Sequence, residues 1–456
     1  MKKHIKILAM FFAVLTALTC LTACGGGQSR GGGQGSIQLP PGVDFPRYED
    51  NGVSFRFAAG YAPFGHLSTE QHYREMAEAN INYVYGLDRT YLERVKALDL
   101  CAQFNMKYLL NDLDLENIIR AGQATSIHMQ EMLNTVESLA WHPAFAGIFL
   151  VDEPPISALG TTKKFVEAFY AEYPDLLCYI NQTGHGAVST HVGTEGYEAC
   201  FDFTIAVAPG FFSYDNYAFW KAYMGAPAYI ASTYVENLDI VARKAKEYGV
   251  PWYNWQQCME AAGYNVSRAC DNYEEQIWQL NTGMAYGING IQTFTYTSLD
   301  YSAEQRIKAL LRQNGELSET YHAFKEATDE VVKWNYVYEK FSWEGTMLFK
   351  KSGTYLDEFD TVTMARKSHP RIKSVTNTQH TMIGTFVDHE DRDGFFIVNY
   401  LDPYYRDTNT VTIELDDATY ALIYERGKRR VAKPNNGKLT FNFSPGGAAF
   451  VIPFNP

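Results

Sequence analysis

Residues 141–155, WHPAFAGIFLVDEPP, run from an apolar stretch into two adjacent carboxylates, Asp152 and Glu153, and then two prolines. A carboxyl that keeps its proton can protonate a leaving oxygen, and a second carboxylate can act as nucleophile or base. Other apolar runs also end in polar or aromatic residues. LLCYINQ (176–182) ends in Asn181 and Gln182, and GFFSYDNY (210–217) carries Asp215 and Tyr217. PWYNWQQ (251–257) holds Trp252 and Trp255 and ends in Gln256 and Gln257, with Glu260 three residues further on. INGIQTFTY (288–296) ends in Tyr296, and VSFRFAAGY (53–61) ends in Tyr61. Amides and carboxylates bind hydroxyls, and flat rings stack on the C–H faces of sugars. Gathered on one rim, these residues suit a carbohydrate. Trp252 and Trp255 are expected on one strand face, where barrel-core packing competes with sugar stacking.

The gathering requires a scaffold. The five runs above, with INYVYGL (81–87), KYLLNDL (107–113) and AGIFLVD (146–152), make eight predicted strands. Helix-period segments separate them, among them 68–80, which opens with a Ser-x-x-Gln capping pattern, 91–104 and 235–249. Eight strand–helix units between residues 51 and 335 fit a (β/α)8 barrel, whose chemistry sits at the C-terminal ends of the strands. The sixth strand has rivals in FDFTIAV (201–207) and APAYIAS (226–232); GFFSYDNY is preferred because the barrel then counts to eight. Residues 336–456 change character: GTFVD, GFFIVNY, NTVTIEL, TYALIYE, KLTFNF and GAAFVIP are short alternating strands broken by turns, an antiparallel β-sandwich.

The chain has 456 residues, 46% of them hydrophobic and 15% aromatic, enough to bury a large core in two domains. Residues 1–23 combine Lys2, Lys3 and Lys6 with an apolar run from Ile7 to Leu18, too short for a comfortable membrane span. LTAC (21–24) resembles the lipobox of bacterial lipoproteins, which implies that Cys24 is lipidated and that the protein works outside the cytoplasm, membrane-attached through that lipid alone. Residues 24–50, rich in Gly, read as a flexible tether. Loss of the three leader lysines takes the formal charge from −13 to −16, a poor match for nucleic acid or anionic membrane. Cysteines 101, 178, 200, 258 and 270 are scattered and read as mostly free and buried, with a 258–270 bridge as the one pairing considered. His66, His142, His185 and His191 show no ligand spacing, so no metal is expected, and the absence of a Gly-rich phosphate loop after a strand argues against a nucleotide cofactor.

Several segments carry a family resemblance. HPAFAGIFLVDEP (142–154) resembles the strand-four segment of bacterial β-galactosidase-like glycoside hydrolases, members of the large barrel clan whose acid/base Glu follows strand four. FFSYDNY, PWYNWQQ and MAYGINGIQTFTY (284–296) are similar to the sixth, seventh and eighth strand segments. NGELSETYHAFKEATDEVVKW (314–334) resembles the helix leaving such barrels, and FNFSPGGAAFVI (441–452) the final hairpin of the following sandwich. The resemblance implies hydrolysis of a carbohydrate with Glu153 as general acid/base. The clan's Asn before that Glu is here Asp152, and its strand-seven nucleophile is here Gln257. The second acid would then be Asp215 or Glu260. Asp152, Asn181, Tyr61, Tyr217, Trp255, Gln257 and Tyr296 are the expected substrate contacts. The missing strand-seven Glu leaves open a non-catalytic, glycan-binding surface lipoprotein on a degenerate barrel. A nearby Asp152 charge would also disfavour ionisation of Glu153.

Overall fold

The computed structural model describes residues 36–40, 43–52, 55–184, 196–207, 210–221, 228–231, 233–261, 268–300, 306–351 and 368–456. The expected leader, Cys24 and the tether as far as residue 35 lie outside these. Eight parallel strands form the first domain: β1 (Arg56–Ala59), β2 (Tyr83–Gly86), β3 (Lys107–Asn111), β4 (Phe145–Asp152), β5 (Leu177–Asn181), β6 (Phe212–Asp215), β7 (Trp252–Gln257) and β8 (Gly290–Phe294). They pair in the order β5-β4-β3-β2-β1-β8-β7-β6. The ring closes between β5 and β6, where Gln182 N donates to Ser213 O at 2.9 Å and Asp215 N to Gln182 O at 3.1 Å. The expected (β/α)8 barrel is therefore present, with the sixth strand where GFFSYDNY places it. Its rival 201–207 is the body of a helix (Tyr197–Val207), in which Cys200, Phe201, Thr204 and Ile205 share a buried helical face.

Alternation along the strands divides the core. Ala58, Tyr85, Leu109, Phe149, Tyr179, Phe211, Tyr253 and Trp255 fill the barrel interior. Trp252 belongs instead to the outer core under the helices. The two tryptophans thus do not share a face: they stand three positions apart, and a strand's side chains alternate. At the floor the Arg56 guanidinium lies 4.2 Å from the Tyr83 ring and 4.1 Å from the Tyr253 ring. Immediately after β1, a Cβ at Gly60 would stand 2.2 Å from the Trp255 ring, so only glycine lets that indole lie against the chain there. Helix ends follow local chemistry. The first helix, α1 (Glu70–Glu78), is capped by Thr69, which accepts from His72 N, one residue later than the Ser-x-x-Gln pattern suggests. The second, α2 (Tyr91–Gln103), begins with a Thr90–Glu93 capping box.

The second domain has a six-stranded and a three-stranded antiparallel sheet. In chain order its strands are β9 (Phe341–Phe349), β10 (Ile372–Asn377), β11 (Thr381–Asp388), β12 (Asp393–Asn399), β13 (Asn409–Leu415), β14 (Tyr420–Glu425), β15 (Lys428–Ala432), β16 (Lys438–Phe443) and β17 (Ala448–Phe454). The sheets run β9-β11-β12-β17-β14-β15 and β10-β13-β16. Phe395 and Ile397 of β12 face the small sheet together with Val411, Ile413 and Phe441. Phe396 and Val398 of the same strand face the barrel side together with Trp334, Tyr338 and Phe450. The sandwich is thus welded to the barrel by one sheet face. The final part of the expected tether corrects that reading: Ile37 N donates to Val431 O at 3.0 Å, Tyr48 OH to Asp388 Oδ2 at 3.0 Å, and Leu39, Val43 and Phe45 pack on the core. The five cysteines are free and buried, so Cys258 and Cys270 form no bridge.

Arg268 fastens the domains at the barrel rim. Its guanidinium donates to both carboxylate oxygens of Asp402, at 3.0 and 2.8 Å, lies 3.2 Å from Glu275 Oε1, and stacks 4.3 Å from the Phe219 ring. All three charged groups are buried. A buried pair contributes little net stability when intact, but losing one partner strands the other charge. Arg268→Ala is expected to lower the urea-unfolding free energy by about 3–5 kcal/mol, whereas a loss under about 0.5 kcal/mol, ordinary for a surface change, would contradict the clamp.

Candidate active site

The C-terminal ends of β4, β5 and β6 bring three carboxyls together. Strand β4 ends in Asp152; the next residue, Glu153, has φ +41°, a left-handed conformation that side-chain-bearing residues rarely adopt. Its backbone N donates to Asn181 O at 3.0 Å, which fixes that turn to the neighbouring strand. Strain of this kind survives where surrounding structure enforces it, and it concentrates at functional sites. The Asp215 carboxyl, at the end of β6, stands beside the Glu153 carboxyl, whose charge is among the causes that raise the Asp215 pKa.

Asn181 organises the group. Its Nδ2 donates to Asp152 Oδ1 at 2.9 Å and to Asp215 Oδ1 at 3.0 Å. Its Oδ1 accepts from Ser213 Oγ at 2.7 Å. Ser213 in turn accepts from Gln292 Nε2 at 3.2 Å and contacts the Tyr179 hydroxyl, while Tyr85 OH donates to Gln292 Oε1 at 2.5 Å. A polar thread thus climbs the barrel interior and ends on two carboxyls. Beneath the Asp152 backbone, Glu116 accepts from Asn111 Nδ2 at 2.8 Å, and Arg120 lies 3.7 Å away.

Few cations offset this concentration of acid. Burial, then the charges of Glu153 and Glu116, push Asp152 up to about 7, against the pull of the Asn181 hydrogen bond. Burial and the charges of Glu153 and Asp152 hold Asp215 well above the usual carboxylate range. Asp152, Glu153 and Asp215 each keep part of their surface in solvent, so the cluster is reachable. Its wall is aromatic. Tyr217 stacks on Phe294 with centroids 5.4 Å apart and planes at 28°, and Tyr61 meets the same ring edge-on at 5.8 Å. Burial holds the Tyr217 hydroxyl far above its ordinary range, and the charges of Asp215, Asp152 and Glu153 add to the rise.

Glu153, Asp152, Asp215, Asn181, Tyr217 and Tyr61 are thus brought together. Asn181 spends its whole amide on neighbouring side chains, so it positions carboxyls and has no group left for a hydroxyl. Four other expected residues are elsewhere. Tyr296, two residues past β8, is fully buried on the outer face, close to Tyr321, Glu75 and Glu78. Gln257 is also fully buried: its Oε1 accepts from Phe219 N at 2.9 Å and its Nε2 donates to Phe219 O and Arg268 O, both at 3.1 Å. It clamps the loop that carries Arg268 and has no free donor for a sugar. Glu260 lies on a two-residue strand paired with Arg306–Lys308, ion-paired to Lys221 and 3.8 Å from Lys308, and the Lys221 hydrogen bond lowers its pKa. Trp255 stands in the interior ring layer, 6.2 Å from Phe294, as packing. The sequence reading missed Glu116, Ser213, Gln292 and Phe294. A glutamine inside the otherwise apolar run INGIQTF was the available signal for Gln292. Among the described residues no group of three or more His, Cys, Asp or Glu could hold a metal ion.

The structural neighbours of this fold are barrel glycoside hydrolases. A GH42 beta-galactosidase from G. stearothermophilus aligns over 88% of this chain and 98% of its own, with TM-score 0.56 and 9% identity. A beta-galactosidase from the psychrophilic Marinomonas ef1 aligns over 61% of this chain and 60% of its own (TM-score 0.45, 11% identity). An FMN-binding beta-glucuronidase from Facaelibacterium prausnitzii L2-6 aligns over 87% and 53% (TM-score 0.41, 10% identity). The chain therefore spans less than two thirds of the length of the latter two. At such identities the likeness is one of fold. No family model and no curated protein sequence matches the chain.

Two predictions follow from the geometry. Asp152 has a folded pKa raised from 3.8 to about 7, so it binds its proton more tightly when folded. Its contribution to stability is complete below about pH 4 and is lost as pH rises through about 7. Asp152→Asn, which keeps an acceptor for Asn181 and cannot ionise, should raise the thermal midpoint relative to the parent at pH 8 and leave it nearly unchanged at pH 4; the reverse order would refute this assignment. Gln257→Glu should create no hydrolytic activity and should cost about 2–5 kcal/mol, because a carboxylate would face the Phe219 and Arg268 carbonyls without a donor. Unchanged stability in urea, or new activity, would refute the clamp role.

Proposed function

We propose that this protein is a glycoside hydrolase in which Glu153 protonates the glycosidic oxygen. The observation that carries this reading is the carboxyl group at the ends of β4 and β6, in which Asn181 ties Asp152 to Asp215 and Glu153 stands beside them. Such a group holds a proton at neutral pH, which is what departure of an alkoxide requires. The Tyr217–Phe294 stack and Tyr61 supply an apolar face for a sugar ring. The cluster stands at the C-terminal ends of barrel strands, where enzymes of this architecture place their chemistry. We further propose that the enzyme is an extracytoplasmic lipoprotein held at the membrane through Cys24. LTAC and the short apolar leader support this, and none of the described helices is long and apolar enough to cross a membrane.

A second reading, a glycan-binding surface lipoprotein without turnover, is favoured by one observation: Gln257 and its hydrogen bonds occupy the end of β7. A panel of aryl glycosides with plant and mucin glycans separates the two. Hydrolysis by the parent protein that falls about 10²–10⁴-fold in Glu153→Gln is the expected outcome. Turnover that survives the substitution would remove Glu153 from its role, and glycan binding without turnover would favour the second reading.

A further inference from the structure

Protonating a glycosidic oxygen is half of the reaction. The anomeric carbon must also receive an electron pair from the opposite face, and the residues that the sequence put forward for this are committed elsewhere. Gln257 stands at the end of β7 with its amide fully engaged. Glu260 is held by Lys221 and Lys308. Glu116 is buried beneath the Asp152 backbone. Asp215 stands beside Glu153 itself, whereas carboxyls that act from opposite sides of a sugar stand about 5–5.5 Å apart for a direct nucleophile and roughly 6.5–9.5 Å apart for a water-activating base. A carboxyl directly beside the acid leaves room for neither.

Asp152 is different. One of its oxygens accepts from Asn181, and among the described residues the side chain has no second hydrogen-bond partner. It is partly open to solvent and adjoins the acid in the chain. From beside the acid it cannot attack the opposite face of the anomeric carbon. It can accept an N–H from a substituent on the neighbouring carbon.

Building on the glycosidase reading, we propose that the nucleophile is the substrate's own 2-acetamido group: the enzyme takes a β-linked 2-acetamido-2-deoxyhexose, with Asp152 accepting the amide N–H beside the Glu153–Asp215 pair. In the first step a lone pair of the amide carbonyl oxygen forms a bond to C1. The bond from C1 to the aglycone oxygen breaks, and the proton of Glu153 goes to that oxygen. The amide proton moves to Asp152, leaving a neutral oxazoline. In the second step water adds to C1 and gives its proton to Glu153. The C1–oxygen bond of the oxazoline breaks, and nitrogen recovers its proton from Asp152. Nothing is oxidised or reduced. Attack opposite the leaving group requires the C1 and C2 substituents to be trans, which sets the β-linkage for gluco and galacto sugars. An amide nucleophile fused to the substrate acts at the high effective concentration of an intramolecular group.

The test uses the full chain and p-nitrophenyl β-glycosides in pairs, 2-acetamido-2-deoxyglucoside against glucoside and 2-acetamido-2-deoxygalactoside against galactoside. A series with mono-, di- and trifluoroacetyl in place of acetyl follows. The expected result is cleavage of the 2-acetamido member only, with kcat falling at each added fluorine as the carbonyl becomes a poorer nucleophile. Asp152→Asn should lower that kcat by about 10²–10³-fold. Equal or faster cleavage of the 2-hydroxy glycosides, or a kcat flat across the fluorinated series, overturns the inference and leaves the glycosidase reading standing. The series needs no variant, so a misfolded Asp152→Asn does not blunt it. Failure to cleave any of the four glycosides, together with intact glycans in the wider panel, overturns the glycosidase reading and this inference with it.

Discussion

One side-chain amide holds the site together. Asn181 has two N–H donors and gives one to Asp152 and one to Asp215, so from the end of β5 it fixes carboxyls of the two flanking strand ends, β4 and β6, in a single group. Ser213 orients that amide, and Gln292, Tyr179 and Tyr85 orient Ser213. Without these donors, three acids this close would repel one another and fill with water. With them, mutual repulsion is converted into retained protons. The aromatic filling of the barrel serves the same end, since it keeps the thread dry and the amide unable to rotate.

The end of β7 went the other way. A glutamine there cannot carry charge, and its amide is divided among the backbone groups of Phe219 and Arg268. Arg268 continues the connection into the sandwich through Asp402. A rim position that could have faced substrate is instead part of the joint between domains. The acid side of the site is therefore elaborate while the opposite side is structural, and that asymmetry shapes any chemistry the protein performs.

Much of this was legible from residues alone. Strand and helix periodicity gave the barrel and sandwich, because burial on two faces or one writes itself into the pattern of apolar residues. Asp152, Glu153 and Asp215 stood out as acids terminating apolar strands. The misreadings share a physical cause. Where a side chain at or just past a strand end goes depends on how the chain leaves the strand and on what packs there, which sent Tyr296 into the outer core and Gln257 into the loop clamp. Glu260 was lost to a short strand pair and two lysines, Lys221 and Lys308, one on each side of it in the chain, a long-range contact that local pattern cannot show. Glu116 was invisible for the same reason: it sits on a helix and reaches the site only through packing of that helix on β4.

Burial and the neighbouring charges of Glu153 and Asp152 favour the protonated form of Asp215. Infrared difference spectroscopy at pH 7 between the parent protein and Asp215→Asn reads it directly, because protonated and ionised carboxyls absorb at separate frequencies. The difference spectrum should show loss of a protonated carboxyl. Loss of an ionised carboxylate alone, with the protonated band unchanged, would contradict the account.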